Sequence, residues 1–225
     1  MRKVVHLYKR RSEQSVEQFQ SALLETAFSD PQLPQKSSLI QSHTSPKGYA
    51  KGERLFDAVE EFSFSSIQVA EMFWHSDVYH KILERREAVI SKAASHRMVV
   101  DVVRIKDEPL VEEPVKNIEF VCRRPGMAPE NFRDYWMNIH GPIGATIPSI
   151  LRYEQNHTVL SDYRNGATPR FDGLAITWFA STQAMRDGAS TREYDVTRRD
   201  EQNFLPDGHL PTIIVREMIR VGSDT

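Results

Sequence analysis

Two histidines in the second half of the chain are placed to act together as an acid and a base. His140 lies four residues beyond Trp136, on the flank of a helical stripe of apolar and aromatic residues. Gly141 and Pro142 follow it and predict that the helix ends or bends there. His157 lies on the strand that comes next. Two imidazoles with ordinary pKa values of about 6.5 can supply one base and one acid at neutral pH, so the pair indicates proton transfer at carbon.

Aromatic residues accompany both histidines. Tyr153 shares a strand face with His157, because side chains two apart along a strand point the same way. The expected third catalytic residue is Tyr135, which would donate a hydrogen bond to a substrate carbonyl as it gains negative charge. The residues expected to line the substrate-binding wall are Phe120, Trp136, Tyr153 and Trp178. Such a pocket predicts a small hydrophobic or aromatic metabolite as the partner.

Each histidine also has a purely structural interpretation. A histidine near a helix C-terminus is favoured by the helix dipole alone. His157, taken by itself, is better explained as a buried structural residue than as a catalyst. Only the two together, beside clustered aromatic residues, favour the functional interpretation.

The chain repeats itself. Residues 3–19 match residues 116–132 at an offset of 113 positions (116 − 3), and the match includes paired arginines and a shared Glu and Phe. QSHT at 41–44 then matches QNHT at 155–158 at an offset of 114 (155 − 41). Ordered matches with a slowly growing offset indicate a duplication of one domain-sized unit, with small loop insertions in the second copy.

Each copy predicts the element order βαββαβ, the ferredoxin-like unit. Such a unit covers only one face of its sheet with helices, so two copies can bury their other faces against each other. The expected fold is therefore α+β, with two ferredoxin-like halves fused into a pseudo-dimeric α+β barrel. The halves are residues 1–110 and 111–225, joined by the charged, proline-containing segment Lys106–Lys116. One charged helix is expected between the third and fourth strands of each half.

The second half resembles the EthD-like family of dimeric α+β barrel proteins. The runs that carry the resemblance are PENFRDYWMNIHGP, IPSILRYEQNHTV, FDGLAITWF and RRDEQNFL. The resemblance implies a small pocket between sheet and helices, and a histidine at the positions of His140 and His157. Members and relatives are linked to degradation of organic compounds, lactone isomerisation, and dehydration or cyclisation of polyketide-like substrates. The resemblance therefore implies acid–base chemistry without a cofactor.

The first half departs from this pattern. His43 aligns with His157, but Ala27 stands at the position of His140. Glu61 aligns near Ile176, a position where the resemblance to the family implies an acidic residue. Each half thus lacks a group that the other retains.

Three functions follow as alternatives. The first is a cofactor-independent lyase or isomerase, of the dehydratase, cyclase or lactone-isomerase type. The second is a non-catalytic binding or accessory protein of a degradation pathway. The third is haem or oxygen chemistry with a histidine as axial ligand.

Composition excludes several other classes. A formal net charge of −2 gives no basic surface for nucleic acid or anionic membranes. One cysteine, Cys122, allows neither an internal disulfide nor an all-cysteine zinc site, and no metal site is expected. No apolar run has the length of a membrane span and no secretory leader is apparent, so a cytoplasmic location is expected. Homodimerisation is left open.

Overall fold

The computed structural model describes residues 1–28, 33 and 37–222, and it has a mixed α+β fold. The strands are β1 (Arg2–Tyr8), β2 (Ser37–Thr44), β3 (Ala58–Phe64), β4 (His96–Asp107), β5 (Val115–Val121), β6 (Ile150–Thr158), β7 (Gly173–Phe179) and β8 (Thr212–Val221). The α-helices are α1 (Val16–Phe28), α2 (Ile67–Trp74), α3 (Asp77–Glu87), α4 (Pro129–Tyr135), α5 (Gly141–Gly144), α6 (Thr182–Gly188) and α7 (Arg192–Asp200). Three short 3₁₀ segments cover Pro46–Lys51, Leu160–Gly166 and Glu201–Asn203. None of the described helices combines the length and the apolar composition that crossing a membrane requires.

The chain forms two compact units whose boundaries fall inside strands. The first unit comprises residues 1–99 and 215–225, and the second comprises residues 100–214. The fourth and eighth strands each contribute residues to both units, so the units do not coincide with the two sequence halves. The segment between β4 and β5 is residues 108–114, shorter than the expected linker, because both strands extend into it.

The first unit contains an antiparallel sheet with the strand order β1-β3-β2-β8. Its helices pack on one face of that sheet. The buried residues of this layer form two clusters, one around Phe62, Phe73 and Tyr79, the other around Tyr8, Phe19 and Leu23.

The second unit repeats this plan with the order β5-β7-β6-β4, in which residues 100–107 of β4 pair with β6. Its core lies between the sheet and the helices and includes Phe132, Trp136, Ile150, Tyr153, Phe179 and Phe204. Gly173 permits the closest part of this packing. A Cβ atom there would lie 2.7 Å from the Trp136 ring and 2.5 Å from the Asn156 carbonyl oxygen, so the indole rests directly on the strand.

The charged helix expected in each half is two helices. Ser76 ends the α2 segment and caps α3, because its hydroxyl accepts a hydrogen bond from the Tyr79 amide. Thr191 does the same for α7 by accepting from the Tyr194 amide. In both halves a hydroxyl cap inside the charged run starts a new helix, which charge pattern alone does not reveal.

The helix that carries His140 does not end at Gly141. Residues Trp136–His140 form a π turn, in which the Gly141 amide donates to the Trp136 carbonyl, and helix α5 continues to Gly144. Because Pro142 has no amide hydrogen, it interrupts the regular hydrogen-bond pattern without stopping the helix. The point where an end or a bend was expected is thus a widened turn, which places His140 inside a continuous helix.

Candidate functional site

A cavity of about 280 Å³ lies between the sheet and the helices of the second unit. Three of the residues singled out in the sequence line it: Trp136, His140 and Tyr153. The sheet contributes the cavity-facing residues Asn117, Glu119, Val121, Ala175, Thr177 and Phe179. The opposite wall comes mainly from α6, α7 and the turn after α7, including Arg198 and Glu201.

His140 is buried and fixed through one ring nitrogen. Its Nδ1 atom lies 2.9 Å from Oδ2 of Asp200, the last residue of α7, and its ring lies 4.6 Å from the ring of Phe204. A carboxylate at Nδ1 selects the tautomer with the proton on that nitrogen and leaves the Nε2 lone pair to act as a base. Burial lowers the pKa of His140 below its ordinary value, and Asp200 opposes that effect without reversing it. His140 is therefore a neutral imidazole at pH 7.

Asp200 is held by several donors. Tyr135 donates its hydroxyl proton to Oδ1 at 2.7 Å, and the Asn203 amide donates to the same oxygen at 3.0 Å. Burial on its own would raise the pKa of Asp200, but the bonds from Tyr135, His140 and Asn203 outweigh it and lower the pKa. Asp200 is a carboxylate at neutral pH, and it can stabilise a protonated His140.

Tyr135 does not line the cavity. Its hydroxyl is committed to Asp200, and its ring stacks on Phe204 with centroids 5.4 Å apart. The expectation that it binds a substrate carbonyl is therefore not met, because the helix turns it towards α7. Its contact with the site is indirect, through the hydrogen bond that it donates to Asp200.

Two of the expected wall residues lie on the wrong face of the sheet. Phe120 alternates with Glu119 and Val121 along β5, and Trp178 alternates with Thr177 and Phe179 along β7. The cavity takes the odd-numbered members of both strands. Phe120 and Trp178 are buried on the opposite face, where Trp178 packs 5.0 Å from the Nζ atom of Lys116.

His157 does not share the cavity with His140. It is buried under the Trp136 ring, with centroids 4.5 Å apart, and its Nε2 atom is 3.1 Å from Oε1 of Gln155. Gln155 in turn donates to the Trp136 carbonyl oxygen at 2.7 Å. Burial, aided by the charge of Arg133, lowers the pKa of His157 to about 3. The structure supports the structural interpretation of His157: it holds the tryptophan that forms part of the wall.

His43 in the first unit has the same structural role as His157 in the second. Its Nε2 atom lies 2.9 Å from Oε1 of Gln41, and burial lowers its pKa to about 4. The repeated pattern Gln-X-His-Thr is thus a structural element present in both units rather than a sign of catalysis.

Tyr153 offers a hydrogen-bond donor to the cavity. Its hydroxyl oxygen accepts from the Trp136 indole at 3.2 Å and from the Gln155 amide at 3.1 Å. With both contacts accepting, its own proton is left for a further acceptor. Burial raises the pKa of Tyr153 well above its ordinary value, so the phenol stays protonated.

Two glutamates and an arginine complete the polar part of the cavity. Glu201 lies 2.6 Å from Nη1 of Arg198, and Glu119 accepts a hydrogen bond from Asn117. Burial raises the pKa of Glu201 to about 7, and burial likewise raises the pKa of Glu119. Neither glutamate was singled out in the sequence. Glu201 lies in a charged helix that resembles a solvent-exposed surface, and Glu119 lies among strand residues without a motif.

In the first unit, charged side chains occupy the position that corresponds to the cavity. The register His6↔Glu60↔Gln41 matches Glu119↔Ala175↔Gln155, so Glu60 replaces Ala175. Glu60 accepts from Arg86 at 2.9 Å, from Tyr8 at 2.8 Å and from Gln41 at 2.6 Å. Glu60 and Arg86 are both fully buried. Larger and charged side chains thus occupy the layer that is open in the second unit.

Glu61, which the sequence comparison aligned near Ile176, faces away from this layer. It pairs with Lys3 at 3.0 Å on the other face of the sheet. Among the described residues, no group of three or more His, Cys, Asp or Glu side chains is arranged to hold a metal ion.

Residues 124–207 match the family model described as the EthD domain. The second half of the chain contains an EthD domain. This match covers the π turn, His140, His157, Asp200 and Glu201, and it confirms the resemblance that the sequence motifs indicated. No curated protein matches the chain in sequence.

Solved structures resemble nearly the whole chain in fold. An anthrone oxidase-like protein is 12% identical, with a TM-score of 0.65 over 98% of this chain and 92% of its own. A candidate monooxygenase from Lactobacillus acidophilus NCFM is also 12% identical, with a TM-score of 0.59 over 98% and 95%. A mutant chlorite dismutase from Candidatus Nitrospira defluvii is 10% identical, with a TM-score of 0.53 over 97% and 91%. At such identities the likeness shows the fold: the EthD domain here is part of a chain with the mixed α+β fold of these proteins.

Proposed function

We propose that this chain is a cofactor-independent acid–base enzyme, a lyase or isomerase that removes a proton from carbon in a small oxygenated apolar or aromatic substrate. The observation that carries the proposal is the His140–Asp200 pair on the wall of the cavity. A neutral imidazole with a carboxylate at Nδ1 has the arrangement of a general base. The apolar walls suit a hydrophobic metabolite.

The proposed reaction begins at Nε2 of His140. This nitrogen takes a proton from a carbon next to a carbonyl group, and Asp200 stabilises the imidazolium that forms. The substrate oxygen accepts a hydrogen bond from the phenol of Tyr153 while negative charge develops on it. Tyr153 thereby takes the role that the sequence assigned to Tyr135.

We further propose that residues 1–110 and 111–225 are copies of one ferredoxin-like unit, of which the second carries the working site. The equal strand registers of the two units support the common origin. The buried Glu60–Arg86 pair supports the division of roles, because it occupies in the first copy the layer that forms the cavity in the second.

Carbon deprotonation can be tested without knowing the substrate. In deuterium oxide, a base in the cavity should speed the exchange of the acidic carbon-bound hydrogens of 2-tetralone, a small bicyclic ketone, as followed by NMR. His140→Gln should lower the enzyme-dependent exchange by roughly 10² to 10⁴-fold. His80→Gln, which changes an exposed histidine in the first unit, is the matched control and should leave exchange unchanged.

Two other outcomes would favour other functions. If 2-tetralone and related ketones bind but exchange no faster than in buffer, the chain is a binding or accessory protein. If exchange is accompanied by oxygen consumption, the deprotonated substrate reacts with oxygen, as the names of two proteins of the same fold, the candidate monooxygenase and the anthrone oxidase-like protein, would suggest. Wild-type exchange in His140→Gln would contradict the assignment of the base.

A further inference from the structure

We propose that Glu119 and Glu201 hold one proton between them at neutral pH and deliver it to a substrate oxygen, so that the cavity accepts neutral carbonyl or hydroxyl compounds and rejects carboxylates. This inference rests on the proposed function and adds the proton donor and the charge class of the substrate. It concerns residues that neither the histidine pattern nor the EthD resemblance assigned a role.

The two carboxyl groups reach the cavity from opposite walls. Glu119 lies on the cavity face of β5, between Asn117 and Val121. Glu201 follows Asp200 at the end of α7, so the residue that orients the base and the proposed acid are neighbours in the chain. Both line the cavity that His140 also lines. A substrate inside it can therefore contact a base and an acid at the same time.

The local charges favour one shared proton. Arg198 pairs with Glu201 at 2.6 Å, and its other terminal nitrogen lies 3.2 Å from Nδ1 of His209. Glu119 has a neutral amide partner, Asn117. Two partly buried carboxylates with one contacting guanidinium carry an excess negative charge, and binding one proton removes it.

The pKa directions agree with this geometry. Burial raises the pKa of Glu201 to about 7 although Arg198 opposes it, and the charge of Glu119 raises it further. Burial raises the pKa of Glu119 against the effects of Arg198 and Asn117. The other titratable or charged residues that line the cavity are His140, Tyr153, Arg186 and Tyr194. Asp200, His209 and Lys106 are bonded to residues of its wall.

The proposed step gains and loses the same number of protons. His140 breaks a C–H bond and gains a proton, while the glutamate pair loses its proton to the substrate oxygen. With a carbonyl substrate the product is an enol, and with a hydroxyl group on the adjacent carbon the C–O bond breaks and water leaves. Solvent then returns a proton to the glutamates as the imidazolium releases one, so no oxidant or reductant is needed.

The shared proton can be observed without a substrate. The experiment is a titration of protein labelled with ¹³C at the glutamate carboxyl carbon, with signals assigned by Glu119→Gln and Glu201→Gln. We expect a carboxyl step near pH 7 in the wild type, and in Glu119→Gln a shift of the Glu201 step to lower pH. If both carboxyls ionise in the ordinary range of about 4 to 5, the proposal is wrong.

The substrate class can be tested with two molecules that share one ring system. 2-Naphthol carries a neutral hydroxyl group and 2-naphthoate carries a carboxylate, and their binding can be compared by calorimetry at pH 7. We expect naphthol to bind at least tenfold more tightly, and the preference to shrink in Glu119→Gln. Asp195→Asn, an exposed carboxylate on α7, is the matched control and should keep the preference. Tighter binding of naphthoate would overturn the proposal and indicate that Arg198 anchors an anion.

The two proposals fail in different ways. If His140→Gln abolishes ketone exchange but the glutamates titrate normally, only the shared proton is lost. If the glutamates share a proton and ketones are never deprotonated, the cavity is a binding site for neutral compounds and the enzyme proposal falls.

Discussion

The Nδ1 atom of His140 lies 2.9 Å from Oδ2 of Asp200, although sixty positions separate the two residues. The contact joins the helix after β5 to the last turn of α7. It fixes the ring, selects its tautomer and supplies the counter-charge for a protonated imidazole. The ionisation of this pair can be followed through the titration of the His140 ring.

Asp200→Asn should lower the pKa of His140 still further, because Asp200 is the group that raises it against burial. The rate of 2-tetralone exchange should fall by roughly 10²-fold or more, since the imidazolium loses its counter-charge. An NMR titration of the His140 ring measures the pKa directly, and the acidic limb of the exchange profile should move to lower pH. An unmoved titration would show that Asp200 has no electrostatic role.

Tyr135→Phe should raise the pKa of Asp200, because it removes one of the hydrogen bonds that lower it. The expected loss of stability is about 1 kcal/mol, measured by urea unfolding. Tyr163→Phe is a matched control, since Tyr163 donates to Asp172 at 2.7 Å outside the cavity. It should cost similar stability but leave the His140 titration unchanged. If both variants alter that titration equally, Tyr135 has no special positioning role.

The chain should lose stability as the pH falls from about 6.5 towards 4. His6 and His157 have pKa values of about 3 in the folded protein and His43 of about 4, so the unfolded chain binds more protons in this range. Each can contribute up to about 1.4 kcal/mol per pH unit. Glu119 and Glu201 act in the opposite direction, because their pKa values are raised.

Replacing one histidine measures its contribution to the pH dependence of stability. Urea unfolding of wild type and His43→Gln at pH 7 and pH 5 should show a smaller pH dependence in the variant. An equal dependence in both proteins would mean that His43 is protonated in the folded state.

Arg86→Met should destabilise the first unit by about 3 to 5 kcal/mol, because it leaves the buried carboxylate of Glu60 without its cation. Adding Glu60→Gln should restore part of the loss, since the glutamine keeps an acceptor for Tyr8 and carries no charge. Lys92→Met breaks an exposed pair with Glu87 and should have almost no effect. A double variant no more stable than Arg86→Met would argue against charge burial as the cause.

The sequence predicts the strands well but not which face of a strand meets the helices. Alternation divides β5 into Glu119 and Val121 on one face and Phe120 on the other, and both sets contain apolar residues. Choosing the aromatic members selected Phe120 and Trp178, which lie on the other face. The packing of Trp136 on Gly173 determines which face of the sheet meets the helices, and that contact is a property of the tertiary structure.

His140 could be predicted from the sequence, because the helical spacing and the EthD motif both point to it. Its partner Asp200 could not, since it lies within a charged helix and no local pattern joins it to residue 140. The run RRDEQNFL, part of the family resemblance, contains Asp200 and Glu201 and was the available signal. His157 was misleading because its repeated motif fulfils a packing role in both units.

The π turn at Trp136–His140 distinguishes the second unit from the first. Helix α1 of the first unit runs from Val16 to Phe28 without such a turn. A π turn inserts one extra residue into the helical repeat, so the residues after it are rotated about the helix axis relative to those before it. His140 therefore contacts Asp200 of α7 while Phe132 and Trp136, earlier in the same helix, stay packed in the core. A local change in helix winding thus redirects one side chain and leaves the apolar layer beneath it intact.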